Sequence, residues 1–186
     1  MIHEDITGLF SKIRRGEDGA GDELIGLVYQ ELHRIARHHM REPYAGNTLQ
    51  PTALVNEAYI RLFNNKVPNL QDRKHFFVLA ARAMRQVLIE RARKRNSKKR
   101  GGDLVIMPLL DGDAPGGKHV DIDAMALEEA LAKLDKVAPR QAQVLSLRLF
   151  VGLKLNEIAE IMGIAMITVR TDIQAGVACL REQLTI

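Results

Sequence analysis

The chain has 186 residues, enough for one ordinary domain or two small ones. Its charge is uneven: residues 1–100 carry 19 Lys and Arg against 11 Asp and Glu, while residues 101–186 carry 8 against 12. A basic half suits a polyanion partner. The single Cys179 excludes an intramolecular disulfide framework and a multi-cysteine metal site. No stretch approaches the roughly 20 apolar residues of a membrane span, and the acidic start MIHEDITGLF is unlike a signal peptide. These features predict a soluble cytoplasmic protein.

Helical spacing dominates from the start. Ile6, Leu9, Phe10 and Ile13 predict a short amphipathic helix stopped at Gly16. Leu24, Leu27, Val28, Leu32, Ile35 and Ala36 mark a longer one. Val55, Ala58, Tyr59 and Leu62 mark a third, opened by Pro51 and Thr52, because proline suits the first turn of a helix. Phe76, Ala80, Ala83, Met84, Val87 and Leu88 mark a fourth. It runs into RARKRNSKKR, Arg91 to Arg100, in which seven residues are basic and none is acidic. Four helices with short connections predict a first domain over residues 1–96.

From Ser97 to Asp123 the helical period vanishes, and five glycines and two prolines give the composition of a flexible linker. The embedded LVIMPLL is too apolar for a plain spacer and suits either a short strand or a segment that docks on a partner. Helical pattern resumes at Ala124 with Leu127, Leu131, Leu134 and Val137. Pro139 opens the next helix, which holds Val144, Leu145 and Leu149 and ends at Gly152. Two more helices follow, over about 155–162 and 166–184, completing a second domain over 124–186. No convincing period-two strand stands out, so the expected class is all-α: two small helical domains joined by a linker.

The last two helices read LNEIAEIMGIAMITVRTDIQ, Leu155 to Gln174. A helix-turn-helix needs a small residue where its helices cross, a glycine in the left-handed turn, and a branched apolar residue in the second helix; Ala159, Gly163 and Val169 stand there. Ile158, Met162, Ile164 and Ile173 are expected to supply the remaining core. An ordinary helical hairpin also wants a glycine, but all three positions agree with a DNA-binding motif. Its second helix is expected to present Thr168, Arg170, Thr171 and Gln174 to a major groove, since Arg suits guanine edges and Gln adenine edges. Only Arg170 and Arg181 are basic there, and Asp172 is acidic, so this helix is expected to bind DNA weakly by itself.

In the fourth helix, Arg82, Arg85, Gln86, Ile89, Glu90 and Arg93 share a face opposite the Ala80, Met84 and Val87 stripe. A solvated charged face is the plain alternative, but the charge rises toward Arg95 and Arg100 with no compensating acid. Phe76 and Phe77 at the helix start could stack on unpaired bases or belong to the core.

Three segments in order resemble a bacterial RNA polymerase sigma factor of the extracytoplasmic-function type. LQPTALVNEAYIRLF, residues 49–63, resembles the helix by which sigma domain two binds core polymerase. HFFVLAARAMRQVLIERARKR, residues 75–95, resembles the helix that melts and reads the minus-ten promoter element. LAKLDKVAPRQAQVLSLRLFVGLKLNEIAEIMGIAMITVRTD, residues 131–172, resembles sigma domain four, reader of the minus-thirty-five element. The resemblance implies that Leu54, Asn56, Glu57 and Arg61 dock on the β′ coiled coil of core RNA polymerase, with Leu54 and Glu57 outward and Val55 and Tyr59 inward. It implies that Phe76, Phe77, Arg82, Arg85, Gln86, Arg93 and Arg95 contact promoter DNA, and that Asn64, Asn65 and Asn69 lie in a base-capturing loop. It also makes an anti-sigma protein a candidate partner. Two departures matter: Lys154 and Ala165 stand where the family often has Ser or Thr helix caps, and Thr171 where it often has Arg.

The competing readings are a helix-turn-helix regulator that acts without being a sigma subunit, and a helical decoy that binds polymerase but not DNA. A receiver domain would need alternating strands and clustered Asp, which residues 1–96 lack. An enzyme is not expected. No phosphate loop or nucleophile motif appears, His33, His38 and His39 read as a solvated helix end rather than metal ligands, and Cys179 reads as a small core residue, so neither cofactor nor metal is expected.

Overall fold

The computed structural model describes residues 2–39, 51–63, 72–96, 104–108 and 119–184. The helices are α1 (Ile2–Arg14), α2 (Ala20–His39), α3 (Pro51–Phe63), α4 (Arg73–Asn96), α5 (Ala124–Val137), α6 (Pro139–Ser146), α7 (Leu155–Met162) and α8 (Met166–Leu184). A single π-helical turn, Leu147–Val151, follows α6. Two short strands, β1 (Leu104–Pro108) and β2 (His119–Asp123), pair antiparallel with Val105 opposite Ile122 and Met107 opposite Val120. The class is all-α, with this one ribbon added inside the predicted linker. LVIMPLL thus contributes a strand, and the His119–Asp123 strand is a feature that helical periodicity could not signal.

Contacts divide the chain into one unit of Met1–Met84 with Phe150–Gly152 and another of Arg85–Leu149 with Leu153–Ile186. The division falls inside α4, after Met84, rather than at residue 96.

In the first unit, α2 packs against both α1 and α3. Leu9, Phe10, Leu24, Val28, Leu32, Ile35, Leu54, Val55, Ala58, Phe76, Phe77, Ala80 and Met84 are buried there. Local chemistry sets the helix ends. Gly16 has φ of 72°, and the bonds from the Gly16 and Glu17 N–H groups to the Ile13 and Lys12 carbonyls close the end of α1. Asp72 caps α4, its carboxylate accepting the His75 N–H at 2.7 Å. Glu31 is buried in α2 and accepts a bond from Arg34 Nε at 2.8 Å, which offsets its desolvation.

In the second unit, α8 packs on α5, α6 and α7. Leu127, Leu131, Leu134, Val144, Leu145, Ile158, Ile161, Val169, Ile173 and Leu180 are buried. Ile161 takes the core place expected of Met162, which is half-buried, as is Ile164. Gly176 marks the closest approach of α8: a Cβ there would meet a Leu145 methyl at 3.3 Å and a Leu134 methyl at 3.6 Å. Cys179 is half-buried rather than core and accepts a bond from the Gln183 amide at 3.2 Å.

Candidate nucleic-acid interface

The turn between α7 and α8 is built by Gly163. Its φ of 66° costs a residue with a Cβ energy and costs glycine little. The Ile164 N–H reaches the Ala159 carbonyl at 3.1 Å and the Gly163 N–H reaches the Glu160 carbonyl at 3.3 Å, so two carbonyls at the end of α7 are satisfied as the chain reverses. Val169 then lies fully buried, as the motif requires.

Neither helix of the motif has a hydroxyl cap. Lys154 precedes α7 in extended conformation without a side-chain cap bond, while Glu157 Oε2 accepts the Lys154 N–H at 2.7 Å. An ammonium has no lone pair, so Lys154 cannot return that bond to the first turn. Ala165 precedes α8, its carbonyl accepting the Val169 N–H at 3.1 Å.

The buried residues of α8 are Val169, Asp172, Ile173, Gly176 and Leu180. With 3.6 residues per turn, the opposite face carries Ile167, Arg170, Thr171 and Gln174, all exposed. Thr168, expected on that face, is half-buried at its flank. The helix is therefore rotated relative to the expected phase, and Ile167 takes the outward place. The Thr171 hydroxyl donates to the Ile167 carbonyl at 3.0 Å.

Asp172 is another revision. It is 2% exposed and turned inward, where Arg140 of α6 donates to it twice: Nε to Oδ2 at 2.7 Å and Nη2 to Oδ1 at 3.0 Å. This side-on pairing is the strong geometry for guanidinium and carboxylate. The hydrogen bond to Asp172, and then its charge, push the Arg140 guanidinium above its ordinary pKa. The acid counted against DNA binding thus lies under the helix, neutralised. Nothing in the local sequence signals a pair 32 residues apart.

On α4, Arg82 and Gln86 are exposed. Ile89, expected on the same face, is buried, which narrows the polar face. Arg85 is partly buried, its Nε donating to Glu128 Oε2 at 2.8 Å and its Nη2 to the Glu128 carbonyl at 3.1 Å. Of the two roles open to Phe76 and Phe77, base stacking and core, the core is the one observed, which corrects their assignment to DNA contact: they are 1% and 0% exposed, their rings 5.0 Å apart, and Arg73 lies 5.8 Å from the Phe77 ring centre. Two adjacent bulky aromatics at the start of a core helix stabilise more by burial than by exposure. The side chains of Arg93 and Arg95, and the loop asparagines Asn64, Asn65 and Asn69, lie outside the described residues.

On α3, Leu54 is 1% exposed, so the expectation that it faces outward is corrected. It and Val55 both face the core. The outward stripe is Ala53, Asn56, Glu57 and Ile60, at i, i+3, i+4 and i+7, with Ile60 60% exposed. Asn56 accepts a bond from the Tyr29 hydroxyl at 3.2 Å, and Glu57 pairs with Arg61 at 3.1 Å. Tyr59 is half-buried, edge-on to Tyr29 at 5.9 Å.

Among the described residues, no group of three or more His, Cys, Asp or Glu side chains could hold a metal, and no single helix is long and apolar enough to cross a membrane. The family model for ECF sigma factors matches residues 3–185. A search of curated proteins finds no match.

Proposed function

We propose, because the chain belongs to the ECF sigma factor family, that it binds core RNA polymerase and directs promoter recognition, DNA melting and transcription initiation. The family acts in transcription initiation and is not enzymatic. The observation that carries the finer reading is the outward face of α8, Ile167, Arg170, Thr171 and Gln174, held on a helix-turn-helix whose buried Val169 and left-handed Gly163 suit a major-groove reader.

Three surfaces divide the work. The Ala53, Asn56, Glu57 and Ile60 stripe of α3 offers a carboxylate beside an exposed aliphatic side chain, chemistry suited to a charged, partly apolar helix such as the β′ coiled coil. Arg82 and Gln86 of α4 precede the basic stretch Arg91 to Arg95 on the same helix, suited to duplex DNA where melting starts. The α8 face reads the upstream element. In this reading residues 1–96 and 124–186 are the two functional domains, and 97–123 are the connection that lets both reach one promoter.

Run-off transcription by core polymerase over a promoter library, with and without the protein, tests this. Specific start sites that appear only with the protein support it. A footprint on free DNA at the same sites without polymerase would instead favour a regulator. Polymerase binding that survives alanine replacement across the basic helix, without any promoter selection by the intact chain, would favour a decoy.

A further inference from the structure

Single exposed apolar residues are ordinary on protein surfaces. Ile167 differs in its place. It is 67% exposed on the first turn of α8, with Met166 beside it at 53%. It lies in line with Thr171 and Gln174, four and seven residues on, at the centre of the outward face. In a helix-turn-helix the N-terminal residues of the second helix reach base edges first. A large aliphatic group there cannot hydrogen-bond. Against guanine, cytosine or adenine it would cover a donor or acceptor and leave it unpaired. Thymine alone presents an apolar group, its 5-methyl, in the major groove.

The neighbouring residue has the same bias. The Thr171 hydroxyl proton is committed to the Ile167 carbonyl at 3.0 Å. Thr171 thus brings an acceptor and a methyl group, with no proton to offer a base. Ile167 and Thr171, one turn apart on the outward face, are thus apolar or accepting; the donors on that face are Arg170 to their side and Gln174, which lies about 10 Å beyond Ile167 along the axis, roughly three base-pair steps.

We infer that Ile167 is a specificity-determining residue that reads thymine: its side chain packs on the 5-methyl of a thymine in the upstream promoter element, with Thr171 beside it. This rests on the sigma-factor reading above. It adds what that reading leaves open, the chemical identity of one base in the recognised sequence.

Replacing thymine by deoxyuridine tests it, because uracil lacks only the methyl and pairs identically. The full chain assembled with core polymerase is bound to a promoter taken from the run-off library. Each thymine of the upstream element is exchanged in turn. One position is expected to lose about fourfold in affinity, the worth of one buried methyl group. Ile167→Ala is expected to weaken binding to the thymine promoter and to abolish the difference between thymine and uracil at that position. The variant changes an exposed side chain and should leave the fold intact. Holoenzyme that binds the promoter but is indifferent to every exchange overturns the inference and leaves the sigma reading standing. Equal weakening of Ile167→Ala on both DNAs also overturns it, since the side chain then touches something other than the methyl. Absence of any promoter selection overturns both.

Discussion

Replacing Lys154 by Ser should stabilise the helix-turn-helix by about 1 kcal/mol. The figure follows from which half of the cap already exists. Glu157 Oε2 accepts the Lys154 N–H at 2.7 Å, so the backward bond of a capping box is present. The forward bond, from the Glu157 N–H to a side-chain oxygen at position 154, has no acceptor, because lysine carries none. A serine hydroxyl supplies one. A new cap is worth about 0.5–2 kcal/mol, and removing a cation from the positive end of the helix dipole adds a few tenths. Lys154→Ala separates the two contributions, since it removes the charge without adding an acceptor. Hydrogen exchange of the α7 amides in the full chain reads the outcome, with a gain of about 1 kcal/mol slowing opening roughly fivefold. Glu157→Ala should cost a comparable amount in the parent and more in the Lys154→Ser background, because the two bonds support one another. If Lys154→Ser protects α7 no better than Lys154→Ala, the helix does not begin where the Lys154 and Glu157 geometry puts it.

Gly163→Ala should destabilise by about 1–2 kcal/mol in denaturant unfolding, purely through its positive φ, because nothing lies within 4 Å of the added carbon; Gly163→Asn should cost less. Glu57→Arg or Ile60→Asp should sharply reduce co-purification with core polymerase while stability changes by no more than about 0.5 kcal/mol, whereas Leu54→Ala should lose about 2–5 kcal/mol of stability because its side chain is buried. Arg82→Ala should lower the salt dependence of promoter binding by about one unit of slope if it neutralises one phosphate, while Gln86→Ala should shift sequence preference in a promoter-library selection. Arg140→Ala should destabilise the second unit by leaving the Asp172 carboxylate buried without its partner, and adding Asp172→Leu should restore much of the loss in a thermal melt.

Helix ends were legible because they depend on single residues. Gly16 and Gly163 adopt the left-handed conformation that glycine tolerates best, and Pro51 and Pro139 occupy first turns where their missing N–H is no loss. The order of helices and the helix-turn-helix followed from the apolar period for the same local reason. Rotational phase was not legible where apolar and small residues spread around much of a helix. Leu54 and Val55 are both buried, Ile89 is buried, and Thr168 yields its outward place to Ile167, because the directions of neighbouring helices decide which side chains are covered. Pairing across long sequence separations was equally hidden: Arg85 finds Glu128 43 residues on, Arg140 finds Asp172, and β1 finds β2. Local residue chemistry thus fixed where the helices start, where they stop and what kind of motif they form. Which side chains face outward from each helix was decided only by tertiary packing, since a helix turns 100° per residue and its neighbours set the angle.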